Sequence, residues 1–288
     1  MNFTTVATLG LHGLAMGMLY FLVASGLSLI FGLMGVLNFA HASLFTWGAY
    51  LGLTAYRYSN SFPLALVAGL LAGALLGGSL EYLAVRRLYG RHLYQVLLTL
   101  GLLLVLDELL KVIYGPAILS FDKPAYLEGT VPLLERSFPV YRLFMAGSGS
   151  AVLGLVYLML RYSRLGMVIR AGVEDRDMVQ ALGINVRRVF TLVFALGGGL
   201  AGLGGVVAGP FLGVYPQMGL EMQLGAFIVV VLGGLGSFAG SAAGSLLVGL
   251  TQSFGSYFFP EGAAGINVAL MALVLLLRPQ GLFGGRET

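Results

Sequence analysis

The sequence predicts an all-α, polytopic transmembrane helical bundle of about eight or nine spans. Three observations carry this. Hydrophobic residues make up 58% of the chain, against about 45–50% in a soluble domain. Charged residues are only 10%, where about 25% is usual. Glycine is 44 of 288 residues, roughly twice the ordinary share. A soluble protein of this length cannot hide that much apolar surface, and in lipid only helices or closed barrels satisfy the backbone. Cysteine is absent and the net charge is +4. Disulfide and thiol chemistry are therefore excluded, and the basic balance is too small to suggest nucleic acid. Residues 1–288 read as one transmembrane domain.

The first span is expected over residues 9–31, where Gly13 and Gly17 form a small-xxx-small pair. It lacks a positive leading region and is long enough to cross, so it reads as a retained helix and not a cleaved signal. Residues 35–56 form a second apolar stretch that carries Asn38, His41, Ser43, Thr46 and Trp47. Asn38 and His41 are three apart and share a helix face. Polar groups at membrane depth are expected to face the translocation path or the helix core, not lipid. A third span covers 63–85, with Gly69, Gly73 and Gly77 at four-residue spacing, and ends in Arg86, Arg87 and Arg91. The fourth covers 93–113, where Asp107 and Lys111 are spaced for an interfacial ion pair.

Residues 115–141 hold four prolines and nearly balanced charge, which suits an external loop. The fifth span is 143–160 and the sixth 189–212, the latter with Gly198, Gly202 and Gly205 as a contact face. A turn is expected at 215–221. Residues 224–235 are short and glycine-terminated and either cross or re-enter. Residues 241–259 and 265–277 complete the set.

Residues 161–188 stand apart. They hold Arg161, Arg164, Arg170, Arg176, Arg187 and Arg188, together with Glu174, Asp175 and Asp177. Three acids followed by Met178, Ala181 and Leu182 read as a short amphipathic helix with acids in its first turn, where they complement the helix dipole. Gly183 is placed as a left-handed cap. The plain reading is a positive-inside loop; the sharper one is a docking helix for a soluble partner. Placing this loop, the Arg86–Arg91 cluster and the tail on the cytoplasmic side puts 11 of the 16 basic residues inside. The amino terminus is then outside and the carboxyl terminus cytoplasmic, which favours nine spans; eight follow if one segment is re-entrant.

His12, His41 and His92 are scattered without metal-ligand spacing, so no metal and no cofactor is expected. No nucleotide-binding loop is present, so ATP would be hydrolysed elsewhere. No chain of buried acids points to an ion-driven pump. Glycine-rich packing, one polar span and one surface helix fit a pore powered by another protein. The rivals are an ion-coupled secondary transporter, which needs an unwound helix or a buried acid, and an intramembrane enzyme, whose convergent catalytic groups are not found.

Four segments in order, NFAHASLFTWGAY, EDRDMVQALGINVRRVFTLVFALGGGLAGLGGVVAGP, VVVLGGLGSFAG and LLLRPQGLF, resemble the branched-chain amino-acid permease family of ABC importers. Asp177 and Gly183 fill the acid and glycine places of that family's loop signature, with Met178 and Val179 in place of its small residues. Ala42 stands where glycine is expected, and Gly225 where a basic residue is common. The resemblance implies two cytoplasmic ATP-binding subunits, a second permease subunit (identical or related) and an external solute-binding protein in a bacterial or archaeal inner membrane. The solute class it implies is branched-chain amino acids, with amides or urea in related systems. Independently of the resemblance, the cost of polar side chains in hydrocarbon assigns Asn38, His41, Ser43 and Thr46 to the path. The amphipathic pattern of the loop assigns Glu174, Asp175, Asp177, Met178, Ala181, Leu182 and Gly183 to ATPase coupling.

Overall fold

A computed structural model describes residues 2–35, 37–133 and 136–283; the side chains of Arg136, Arg176, Asp177 and Ala264 also lie outside the described set. The described residues form α1 (Phe3–Met34), α2 (His41–Ser59), α3 (Phe62–Leu83), α4 (His92–Tyr114), a hairpin of β1 (Thr130–Leu133) and β2 (Arg136–Pro139), then α5 (Val140–Tyr162), α6 (Arg164–Glu174), α7 (Arg176–Ala181), α8 (Val186–Leu212), α9 (Met218–Gly233), α10 (Phe238–Phe258) and α11 (Ala263–Leu277). Four of these, α1, α3, α5 and α8, are long and apolar enough to cross a bilayer, and α9 with α10 adds a fifth as one broken span. α2 and α4 have the length, at 19 and 23 residues, but carry polar and charged side chains. α11 has 15 residues, short of the ~20 that cross hydrocarbon upright.

The bundle is layered. In its most apolar stretch α1 is 83% buried and α8 67%, against 28% for α3 and 22% for α5. α1 and α8 are therefore the axis, and α3 and α5 present apolar faces outward. Glycine makes the inner contacts possible, because between helices in lipid it is close packing that holds the bundle. A Cβ on Gly202 would lie 2.2 Å from the Gly69 carbonyl oxygen, and one on Gly73 would lie 2.0 Å from that of Gly198. A Cβ on Gly205 would lie 2.1 Å from the Phe45 carbonyl oxygen. The expected ladder on α8 is thus the seam against α2 and α3. A second seam joins α1 to α10, where a Cβ on Gly249 would lie 2.3 Å from the Gly13 carbonyl oxygen.

The structure sharpens three expectations. The external loop is not wholly irregular: it holds the hairpin, in register from Thr130↔Pro139 to Leu133↔Arg136, and α5 begins at Val140. Its Tyr141 hydroxyl donates to the Val207 carbonyl at 2.7 Å, tying the hairpin's exit to α8. The turn expected at 215–221 is mostly helix, since α9 starts at Met218. The segment that was open between crossing and re-entry bends by 119° into α10. Gly234 (φ 102°) and Gly236 (φ 80°) take conformations that side chains disfavour. The Ser237 side chain caps α10 by accepting from the Gly240 amide at 3.0 Å. The carbonyls freed at the break are taken up by the tail: Leu282 N–H donates to Leu232 at 2.8 Å and Phe283 N–H to Gly233 at 2.9 Å. Two sequence segments far apart in the chain, 229–240 and 275–283, are thus one structural unit.

Candidate functional site

The polar span leads into the core. Asn38, His41, Ser43 and Thr46 are all buried, none above 2% exposed. They do not point one way. The Asn38 carbonyl accepts from Gln223 Nε2 of α9 at 3.2 Å and from the His41 amide at 3.3 Å. His41 Nε2 meets the Val23 carbonyl of α1 at 3.0 Å. Thr46 bonds back to the Ala42 carbonyl at 3.2 Å, beside Gly219 of α9. Ser43 turns the other way, to α4, where its hydroxyl donates to Asp107 Oδ1 at 2.9 Å. Trp47 follows it, donating to the Leu106 carbonyl at 3.2 Å. The expected Asp107–Lys111 pair is therefore corrected: Ser43 takes Asp107, and Lys111 pairs with Glu108 at 2.7 Å.

Asn38, His41, Thr46 and Gln223 form a buried polar group where α2 and the turn before it meet α1 and α9. Its polar atoms are under-used. Both side-chain polar atoms of Asn38, Nδ1 of His41 and Oε1 of Gln223 are buried without a partner. Each such atom costs about 1–3 kcal/mol when unsatisfied, so the cluster is a store of unmet hydrogen bonds on the bundle axis. Gln223 was missed in the sequence because it precedes the apolar run that begins at Leu224.

A second buried site was also missed. Glu81 of α3 is fully buried, a single acid and not a chain of them. It pairs with Arg86 at 3.3 Å, accepts from the Thr191 hydroxyl of α8 at 2.5 Å and accepts from the Tyr89 hydroxyl. Arg86 reaches on to Thr191 at 2.6 Å and lies over the Tyr82 ring. Burial, and then the Glu81 hydrogen bond, push the Tyr89 phenol well above its usual range. The five-residue spacing of Glu81 and Arg86 crosses a helix end, so no helical periodicity announces it. Paired and hydrogen-bonded at the end of α3, Glu81 is a clamp between α3 and α8. Arg86→Ala strands a buried carboxylate and should destabilise by about 3–5 kcal/mol. Glu81→Leu with Arg86→Leu should recover most of that, as read by thermal unfolding of the purified protein. Equal losses in single and double variants would contradict the clamp.

The arginine-rich segment is built as two helices, not one. α6 starts at Arg164, where the Ser163 side chain accepts from the Gly166 amide at 3.0 Å. It ends at Glu174, so Glu174 lies in a last turn and not a first. Asp175 breaks the run and caps α7 by accepting from the Met178 amide at 2.9 Å. The Asp177 side chain lies outside the described residues. Gly183 takes φ 82°, the left-handed cap that its position required, and Asn185 caps α8 by accepting from Arg188 N–H at 3.2 Å. Among the described side chains of α7 only Val179 turns inward, at 3% exposed; Met178 is 58% exposed and Leu182, just beyond it, 73%, and Ala181 is exposed as well.

Long apolar helices packed on a largely apolar core, with a few polar side chains buried inside it, define a multi-pass membrane protein. The chain belongs to the family described as branched-chain amino acid transport system / permease component, whose profile matches residues 10–278. It is 30% identical to the high-affinity branched-chain amino acid transport system permease protein LivH of Escherichia coli, over 96% of this chain and 94% of that one. BraD of Pseudomonas aeruginosa, of the same description, is 31% identical over 96% and 95%. A probable branched-chain amino acid transport permease of Methanocaldococcus jannaschii is 28% identical over 91% and 88%. No solved structure matches the chain.

Proposed function

We propose that this chain is the membrane-spanning permease subunit of an ATP-driven ABC importer of branched-chain amino acids. The observation that carries this, beyond family membership, is the exposed apolar end of α7 on a capped two-helix arm. A pore that hydrolyses nothing itself needs such a handle. In this reading the arm and carboxyl terminus are cytoplasmic, the amino terminus and hairpin are external, and the bundle makes eight or nine passes of a bacterial or archaeal plasma membrane. Two ATP-binding subunits press on the arms of two permease subunits, identical or related, and an external solute-binding protein delivers the solute. Residues 174–183 form the coupling segment, with Met178, Ala181 and Leu182 as its apolar contacts and Asp175 and Gly183 as its fixed ends. Glu174 opens the segment at the end of α6, and Asp177 supplies charge to it.

Asn38, His41, Thr46 and Gln223 line the path, and Ser43 positions α2 against α4. Movement of α9 about its break would open the unmet polar atoms of this group to solute. An Asn38→Leu, His41→Leu double variant should then assemble normally and lose uptake by at least about tenfold, a cost of ~1.4 kcal/mol or more at the barrier. Uptake of labelled leucine, urea and short amides into vesicles holding the assembled complex reads it. Full transport by the variant refutes the path. Uptake driven by a proton gradient without any ATPase favours a secondary transporter instead.

A further inference from the structure

We propose that the cleft between α1, α5, α6 and the α9–α10 break is a binding site for a free α-amino acid with an apolar side chain. The inference rests on the permease reading for its solute class, but on different residues from the path. The cleft is about 700 Å³, within the range of small-molecule sites. Leu29, Ile169 and Phe238 make its walls apolar. Three polar residues line it. Ser28 of α1 lines it with a hydroxyl that is buried and has no hydrogen-bond partner. Arg170 and Glu174 of α6 line it one helical turn apart.

That cation and that anion are spaced to pair with each other, yet the ion pairs among the described residues are Glu81–Arg86 and Glu108–Lys111. Arg170 instead spends one N–H on the Leu160 carbonyl at the end of α5. A guanidinium has five N–H donors, so the others remain available. An unpaired cation, an unpaired anion and an orphan hydroxyl among apolar side chains are the complement of a zwitterion with a hydrocarbon side chain. The carboxylate is held by Arg170 through charge-assisted hydrogen bonds. The ammonium donates to Glu174 and to the Ser28 oxygen. The side chain packs on Leu29, Ile169 and Phe238. A ligand lacking either charge leaves one of the two ions unmatched.

Equilibrium binding of labelled leucine to the purified complex, without the external binding protein, tests this. Wild type should bind saturably. Arg170→Ala and Glu174→Gln should each weaken binding by about tenfold or more, which is ~1.4 kcal/mol. Glu174→Gln keeps shape and an exposed position, so it stays informative if Arg170→Ala folds poorly. Isopentylamine and 4-methylpentanoate, each with one of the two charges, should compete poorly. No saturable binding, wild-type affinity in Glu174→Gln, or competition by either single-charge analogue as strong as leucine's overturns the proposal. Uptake by the wild-type complex separates the two readings. Import without this binding keeps the permease and loses the cleft. Binding through Arg170 and Glu174 without import keeps the cleft and loses the permease.

Discussion

A Gly202→Leu variant should fail to accumulate as folded protein. A Cβ there would sit 2.2 Å from the Gly69 carbonyl oxygen and 3.1 Å from Gly73 Cα. Both neighbours are backbone, so no side chain can swing away. Relief requires α3 and α8 to separate, which would pull apart the Gly73–Gly198 contact and the Glu81–Thr191 hydrogen bond together. Overpacking a well-filled core costs about 1–3 kcal/mol and sometimes more, and here the strain reaches a whole seam. Gly101→Leu is the control, because nothing lies within 4 Å of a Cβ at that position. Size-exclusion profiles of the two variants should differ sharply. A monodisperse Gly202→Leu protein with normal yield would mean that the seam is looser than its glycines imply.

A Met178→Asp, Leu182→Asp double variant should insert and fold normally yet abolish coupled uptake. Both side chains are exposed, so their replacement disturbs little inside the permease. An apolar helix face laid into a protein groove is the mode that such a short helix can use, since alone it is marginal. Two carboxylates in that groove would be unpaired and desolvated, at several kcal/mol. The ATP-binding subunit should no longer co-purify. Its retention at the wild-type ratio would move the coupling contact elsewhere, to the Arg86–Arg91 turn first.

The seams and the arm were legible in the sequence, and the reasons are specific. Four-residue glycine spacing on α3 and α8 has one economical use in lipid. Gly183 marked a left-handed cap at its true place. Asp175 misled, because a run of acids before apolar residues reads as one first turn until the cap that splits α6 from α7 is visible. Asp107 misled in the same manner: i,i+4 spacing permits a pair with Lys111, but Ser43 from another helix takes the carboxylate. Gln223 and Glu81 were invisible for a common reason. Each is a single polar residue at an edge of an apolar run, and only its tertiary partners, Asn38 in one case and Thr191 with Tyr89 in the other, give it meaning. The α9–α10 break was legible as glycine-rich, but not the tail that closes it.

The seam between α1 and α10 has a consequence for biogenesis. Gly13 of the first helix is completed by Gly249, so its partner is still unmade when α1 leaves the ribosome. At translation rates of 5–20 residues per second the wait is roughly 10–50 s. For that interval the helix that ends as the bundle's axis has only lipid, or an insertion factor, against its glycine face. Folding of this chain is therefore timed by synthesis, and slowing the ribosome within α9 should prolong the period in which α1 is open to capture by a second copy.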